Sequence, residues 1–243
     1  MRALIRKLRN LGAVHDEEQA LVASVNVRKA VRRGEDIITA GSSPTHLTVL
    51  LEGFACGYKI IENGRRQILT FKYPGDFCDI HSYILPAPDH AVSALTECSV
   101  GTIPHRDIER IIAKFPNLGL ALWRDTMIES RILSEWLLNV VQRPALERIA
   151  HLLCEQIVRL EAIGINSDAF PLTQVDLADA AGLSPVHMNR TIQDLRQLGV
   201  LLRNCRAIAV ARRDMLIEIG KFDGRYLHMP TYPGMEIRSG IAR

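Results

Sequence analysis

Between Val27 and Ile103 the apolar residues come in short runs of Val, Ile, Leu, Thr and Tyr, punctuated by Gly34, Gly41, Gly53, Gly57, Gly64, Gly75 and Gly101. Short β-prone runs with turn signals every ~8 to 12 residues predict a compact antiparallel sandwich or barrel. In YKIIENGRRQILTF two such runs flank Glu62-Asn63-Gly64, and the Asn-Gly pair is expected to supply the positive dihedrals of a tight hairpin. In KYPGDF, Pro74-Gly75 predicts a turn before a further strand. Residues 1–25 read as helical, with Asp16 the expected cap of EEQALVASV.

From Pro104 the period changes. His105 to Lys114 reads as a short helix, and from Pro116 one long helix is expected to run to Gln142. Its apolar residues Leu118, Leu122, Ile128, Ile132, Trp136 and Val140 recur mostly at three- and four-residue steps, with Arg124, Asp125, Glu129, Arg131 and Glu135 between them. Such a rod, about 37 Å long at 1.5 Å per residue, is apolar on more than one side and so requires two partners, the strand-rich region and a second copy of the chain. Arg143-Pro144 breaks it, because proline removes a backbone donor and disfavours helical geometry before it. A new helix is predicted from about Pro144 to Ile163, with Leu146, Ile149, Leu152, Leu153, Ile157 and Leu160 as its apolar stripe and Gly164 as its stop.

The segment FPLTQVDLADAAGLSPVHMNRTIQDLRQLGVLLRNCRAIAV, Phe170 to Val210, carries the most local information. Thr173 can cap a helix whose third residue is Asp176, with Leu177, Ala178 and Ala181 inward. Gly182 supplies a left-handed turn, Leu183 plugs the core, and Ser184-Pro185 restarts a helix. Met188, Ile192, Leu195 and Leu198 are expected to face inward, leaving Val186, His187, Asn189, Arg190, Gln193 and Arg196 outward until Gly199. That outward face is rich in donors and fits the major groove, where arginine bonds guanine and asparagine bonds adenine. GVLLRNCRAIAV then reads as a two-stranded wing with Arg203, Asn204 and Arg206 at its tip, suited to phosphate. From Ile217 to Arg243 a short helix followed by loose chain is expected.

Composition narrows the class. The 243 residues, 47% hydrophobic and 23% charged, suffice for one or two packed domains without metal or disulfide staples. No run of about 18 apolar residues occurs, and the N-terminal MRALIRKLRNLG alternates bases with apolar residues, so neither a membrane span nor a secretion signal is expected and the cytoplasm is the default. Cys56, Cys78, Cys98, Cys154 and Cys205 are odd in number and scattered, which favours reduced, buried thiols. The net charge of +3, from 30 bases and 27 acids, is too mild to mark a nucleic-acid binder, so that inference rests on local pattern. No GxGxxG, P-loop, HExxH or GxSxG pattern occurs, and no enzyme is expected.

The stretch LTQVDLADAAGLSPVHMNRTIQDLRQLGV resembles the helix-turn-helix of the CRP/FNR family of transcription regulators, and GEDIITAG, LLEGFACGY and KYPGDF follow the glycine-spaced pattern of its sensor region. The resemblance implies an α+β chain with a β-roll (jelly-roll) sensor domain at 1–115, a dimerisation helix at 116–142, a winged helix-turn-helix domain at 143–220 and a tail at 221–243. It implies a homodimer reading a palindromic site on double-stranded DNA and touching RNA polymerase, with no membrane partner. Arg190 falls at the family's base-reading arginine. Pro185 and Val186 stand where other members place charged or polar readers; Val186 can touch a thymine methyl, and His187, Asn189 and Gln193 can supply polar contacts. Thr173, Ser184 and Arg203 are assigned to phosphates.

Cyclic-nucleotide-binding members carry a glycine-glutamate pair for the ribose and an arginine-serine pair for the cyclic phosphate. In FCDIHSYILPAPDHAVSAL, Cys78-Asp79 replaces the first pair and Pro88-Asp89-His90-Ala91 occupies the place of the second. A buried phosphate without a cation is costly, so no tight cyclic-nucleotide binding is expected. Residues 1–55 hold no cysteine, which excludes the family's N-terminal iron-sulfur ligand set. Cys78, His81 and His90 are compatible with zinc or haem, though buried core groups are the commoner outcome for such residues; Cys205 among Arg203 and Arg206 has cationic neighbours that favour thiolate, so that oxidation there would block DNA binding, with an inert thiol the commoner outcome. The competing function is a redox- or ligand-sensing module whose C-terminal domain mediates protein contacts.

Overall fold

The computed structural model describes residues 1–26, 28–85, 87–165, 169–202 and 208–229. Helices α1 (Arg2–Asn10) and α2 (His15–Ser24) open the chain. The expected single helical stretch is thus two, parted where Gly12 takes φ 94°. Asp16 is not the cap: α2 begins at His15, and the Glu17 carboxylate, one turn in, accepts the Val14 N–H at 2.8 Å. A carboxylate inside the first turn reaches back to the free amides better than one whose own backbone is already helical.

Among the described residues seven strands come next, β1 (Arg28–Val31), β2 (Asp36–Ile38), β3 (His46–Glu52), β4 (Ala55–Ile60), β5 (Arg66–Lys72), β6 (Ala91–Ala94) and β7 (Cys98–Pro104). They form two sheets, ordered β1-β7-β3 and β2-β6-β4-β5, with every pairing antiparallel. The predicted hairpin is β4–β5, but only Gly64 has positive φ (78°). Asn63 acts through its side chain instead, accepting the Arg65 N–H at 3.0 Å, and the Ile61 N–H reaches the Arg65 carbonyl at 3.0 Å, so the loop is longer than a two-residue turn. Pro74-Gly75 does turn, with Gly75 at φ 97°, yet the chain beyond it makes one bridge between Val49 and Phe77 and a 3-10 turn, Ile80–Tyr83, in place of a full strand.

Beyond β7 come α3 (His105–Lys114), α4 (Pro116–Gln142), α5 (Ala145–Ala162), β8 (Ala169–Phe170), α6 (Gln174–Ala181), α7 (Pro185–Gln197), β9 (Ile208–Ala209) and α8 (Arg213–Gly220). Arg143, with φ −83° and ψ 138°, is extended, so Arg143-Pro144 parts α4 from α5 as the proline requires. One face of α4 (Ile128, Ile132, Trp136) is buried on the sheet, and Phe71 meets Trp136 edge-on at 5.6 Å. The tail departs from expectation. A 3-10 turn at Gly224–Leu227 succeeds α8, and Phe222 and Leu227 are buried, because apolar residues there find a groove between α4 and α5. None of the described helices is long and apolar enough to cross a membrane.

Where α1, the Pro74-Gly75 turn, α4 and α5 converge, buried charges pair. Lys7 Nζ lies 2.5 Å from Asp76 and 3.0 Å from Asp125; Lys72 Nζ is 3.0 Å from Glu129. Arg159 approaches Asp76, Glu129 and Glu155 at 3.6, 3.6 and 3.5 Å, donates to the Phe71 carbonyl at 3.1 Å, and sits 4.8 Å above the Tyr73 ring. Burial alone would raise the Asp76 carboxyl, but Lys7, Arg159 and Lys72 more than offset it and hold it below the usual range. Removing one buried partner leaves its counter-charges uncompensated, so Arg159→Ala should cost about 3–5 kcal/mol in urea unfolding, a loss that exposed Arg106→Ala should not reproduce.

Candidate nucleic-acid interface

Local chemistry builds the two-helix unit. Thr173 Oγ1 accepts the Asp176 N–H at 3.1 Å, while Asp176 Oδ2 accepts the Thr173 N–H at 3.0 Å and its hydroxyl at 2.6 Å. This reciprocal box fixes the start of α6. Gly182 comes after it in left-handed geometry (φ 66°, ψ 29°), and the Leu183 N–H returns to the Ala178 carbonyl at 3.0 Å. Ser184 Oγ accepts the His187 N–H at 3.2 Å, and Pro185 sits where no amide donor is needed, so α7 starts one residue after Ser184. Gly199, at φ 74°, ends the unit.

Met188, Ile192 and Leu195 are fully buried, and Val186, His187, Asn189, Arg190 and Gln193 are exposed on one side of α7. Leu198, expected inward, is 48% exposed: it is the C-cap, past the last helical turn, and its direction no longer follows the helical period. Arg196, expected outward, is half-buried. Asn189 Nδ2 donates to Gln174 Oε1 at 3.2 Å, which couples the outward face of α7 to the first turn of α6. The Thr173 hydroxyl proton is committed to Asp176, whereas Ser184 Oγ only accepts within the described residues. Ile208–Ala209 pairs with Ala169–Phe170, and on the other side the expected wing strand makes one bridge, Leu201 to Val210, with the Leu202 N–H donating to the Ala209 carbonyl at 2.9 Å. Arg203, Asn204, Cys205 and Arg206, the expected wing tip, lie outside the described residues.

Two contacts that the sequence does not announce fix α6. Arg66 on β5 bridges Asp176 and Asp179, 2.8 Å from each, and Arg148 on α5 donates to the Ala181 carbonyl at 2.8 Å and the Arg143 carbonyl at 2.9 Å. The partners are far apart along the chain, and only a charge match between Arg66 on β5 and the acid-bearing face of α6 could have suggested the first.

The expected sensor residues are placed differently. Cys78 and Asp79 are buried, and Asp79 Oδ1 accepts the Thr48 N–H at 2.7 Å. Asp89 is engaged by Lys59 and His90, both at 2.8 Å. The His81 and His90 rings stand 5.5 Å apart, but among the described residues no group of three His, Cys, Asp or Glu is arranged to hold a metal. Burial pushes the Cys56 and Cys154 thiols up to about 12, which keeps them protonated and inert.

Residues 28–115 match the family model of a cyclic nucleotide-binding domain, and residues 147–219 that of a Crp-like helix-turn-helix domain. The chain is 31% identical over 178 residues to the nitrogen fixation regulation protein FixK of Bradyrhizobium diazoefficiens, covering 69% of this chain and 71% of that one. It is 27% identical over 209 residues to the transcriptional activator protein FnrL of Cereibacter sphaeroides, covering 83% and 84%. The solved structure of FixK2 from Bradyrhizobium japonicum superposes with a TM-score of 0.71 at 24% identity, over 79% of this chain and 96% of that one.

Burial raises the Asp79 carboxyl to about 6, against hydrogen bonds from Thr48 and Ser82. Because this folded value lies above the unfolded one, near 4, the folded state binds the extra proton. Its stabilising contribution is full below about pH 4 and is lost as pH rises through about 6. Relative to Asp79→Asn, the wild-type protein should therefore lose about 2–3 kcal/mol of unfolding free energy between pH 4 and pH 7; parallel pH profiles would show that Asp79 does not titrate in this way.

Proposed function

The chain belongs to the CRP/FNR family of transcription regulators, and from that premise we propose that it works as a homodimer whose two α7 helices read a two-fold symmetric site on double-stranded DNA. The observation that carries this reading is the face of α7: three fully buried apolar residues hold the rod, and His187, Asn189, Arg190 and Gln193 project from its other side. Arg190 can bond guanine N7 and O6 together, Asn189 can exchange Gln174 for an adenine, and Val186, 74% exposed, can meet a thymine methyl. Ser184 and the α7 N-terminus suit a phosphate, as does Thr173 once its hydroxyl turns from Asp176, and Arg203, outside the described residues, is assigned to phosphate by its place in the sequence.

The second support is on α4. Leu120, Trp123, Met127, Leu137 and Val141 are exposed, and with the exposed Ser130 and Ser134 they keep alternating three- and four-residue steps. That is the seam of a two-stranded coiled coil, and small serines midway let the two backbones approach. Unpaired, it is a long apolar stripe facing water, opposite the side packed on the sheet. In this reading residues 1–115 form the sensor, 116–142 the dimer helix and 143–220 the reader, acting in the cytoplasm and contacting RNA polymerase. In this reading the signal is not a cyclic nucleotide, which the engagement of Asp79 with Thr48 and of Asp89 with Lys59 supports.

Two measurements test the proposal. Arg190→Ala should lower discrimination at its base pair about 10- to 100-fold while changing affinity for random duplex little, and wild-type binding to a palindromic duplex should fall steeply with salt. Equal loss on specific and random duplexes would remove Arg190 from base reading. Calorimetric titration with cyclic AMP should give no binding heat, and micromolar affinity would overturn the sensor assignment.

A further inference from the structure

The similarity to the helix-turn-helix family ends at residue 219, but the chain continues as a strap back across α5 to α4. Gly220 lets α8 lie against α5, since a Cβ there would stand 2.6 Å from the backbone nitrogen of His151. Lys221 then reverses the chain in left-handed geometry (φ 44°), and its ammonium reaches Glu147 at 2.8 Å. The Phe222 and Tyr226 rings close on the His151 ring, with centroids at 5.0 and 6.0 Å, and Leu227 is fully buried.

One carboxylate joins the parts. Glu155 on α5, fully buried, accepts the Tyr226 hydroxyl at 2.8 Å and the Trp136 indole N–H of α4 at 2.9 and 3.0 Å. His151 Nε2 lies 3.3 Å from the Tyr226 hydroxyl and 3.5 Å from Glu135, which is also on α4. Strap, α5 and α4 are thus tied together across the Arg143-Pro144 break, where the helical path from the dimer seam turns toward the reading unit. α6 and α7 pack on α5, and Arg148 ties the end of α6 to the start of α5, so a change in the angle between α5 and α4 moves both helices relative to the dimer seam.

We propose that Tyr226 is a positioning residue for DNA recognition: through Glu155 it sets the angle between α4 and α5, and with it the separation of the paired α7 helices. The proposal rests on the dimeric reading of α4 and α7. Tyr226→Phe keeps the ring and removes the hydroxyl, leaving Glu155 with Trp136 and Arg159. Binding is measured by competition on symmetric duplexes whose half-sites are moved apart or together one base pair at a time, alongside a single half-site and the melting temperature.

The wild-type protein should prefer one spacing. Tyr226→Phe should flatten that preference about tenfold between the best spacing and its neighbours, with single half-site affinity unchanged, because a hydrogen bond to a charged group is of that size. A variant that melts earlier yet keeps the spacing profile would overturn the positioning role and leave the dimeric reader intact. A wild-type protein with no preference among symmetric duplexes would overturn the reader, and the positioning role with it.

Discussion

Arg159 is the residue on which the arrangement turns. It lies 5% exposed between the sheet and three helices, within 3.6 Å of Asp76, Glu129 and Glu155, and it faces the Tyr73 ring. With Lys7 and Lys72 it faces four carboxylates, counting Asp125. Such a group is costly to bury and is tolerated only when its members answer one another. Burial holds the Asp125 and Glu155 carboxyls above the usual carboxylate range, while the neighbouring Lys7 and Arg159 act against it. Any movement of α1, α4 or α5 that parts one pair leaves the others unanswered, which makes the junction resist small displacements.

That junction places the reading unit in steps. α5 carries Arg148, whose guanidinium holds the end of α6 and the break before α5 at once. Arg66 grips α6 from the sheet through a mostly buried bridge to Asp176 and Asp179, which sets the position of α6 against β5. The strap closes the remaining side. The recognition helix has no independent place in the molecule; it inherits one from α6 and α5.

What the sequence discloses is what neighbours in the chain decide. Thr173 with Asp176, Gly182, Ser184-Pro185 and Arg143-Pro144 act within a turn of themselves, and the elements they delimit stand where pattern places them. The antiparallel sheets were legible from glycine spacing, and the outward residues of α7 from its period. Asp16 and Asn63 went astray because a neighbouring carboxylate and a longer loop were better solutions. The junction was not legible: Lys7 meets Asp125, and Arg66 meets Asp176, only after the chain has folded. The strap was hidden for the same reason, since the burial of Phe222 and Leu227 depends on a groove that two other helices create.

The central claim is that the polar side of α7, doubled by a two-fold axis along α4, enters the major groove twice. Guanine-N7 methylation interference on a duplex selected from random sequence examines this directly. Two symmetric patches of major-groove interference on one face of the duplex, centred about one helical turn or about 10 base pairs apart, are the expected result. A single patch, or no interference at any guanine N7 of a duplex that binds, would contradict it.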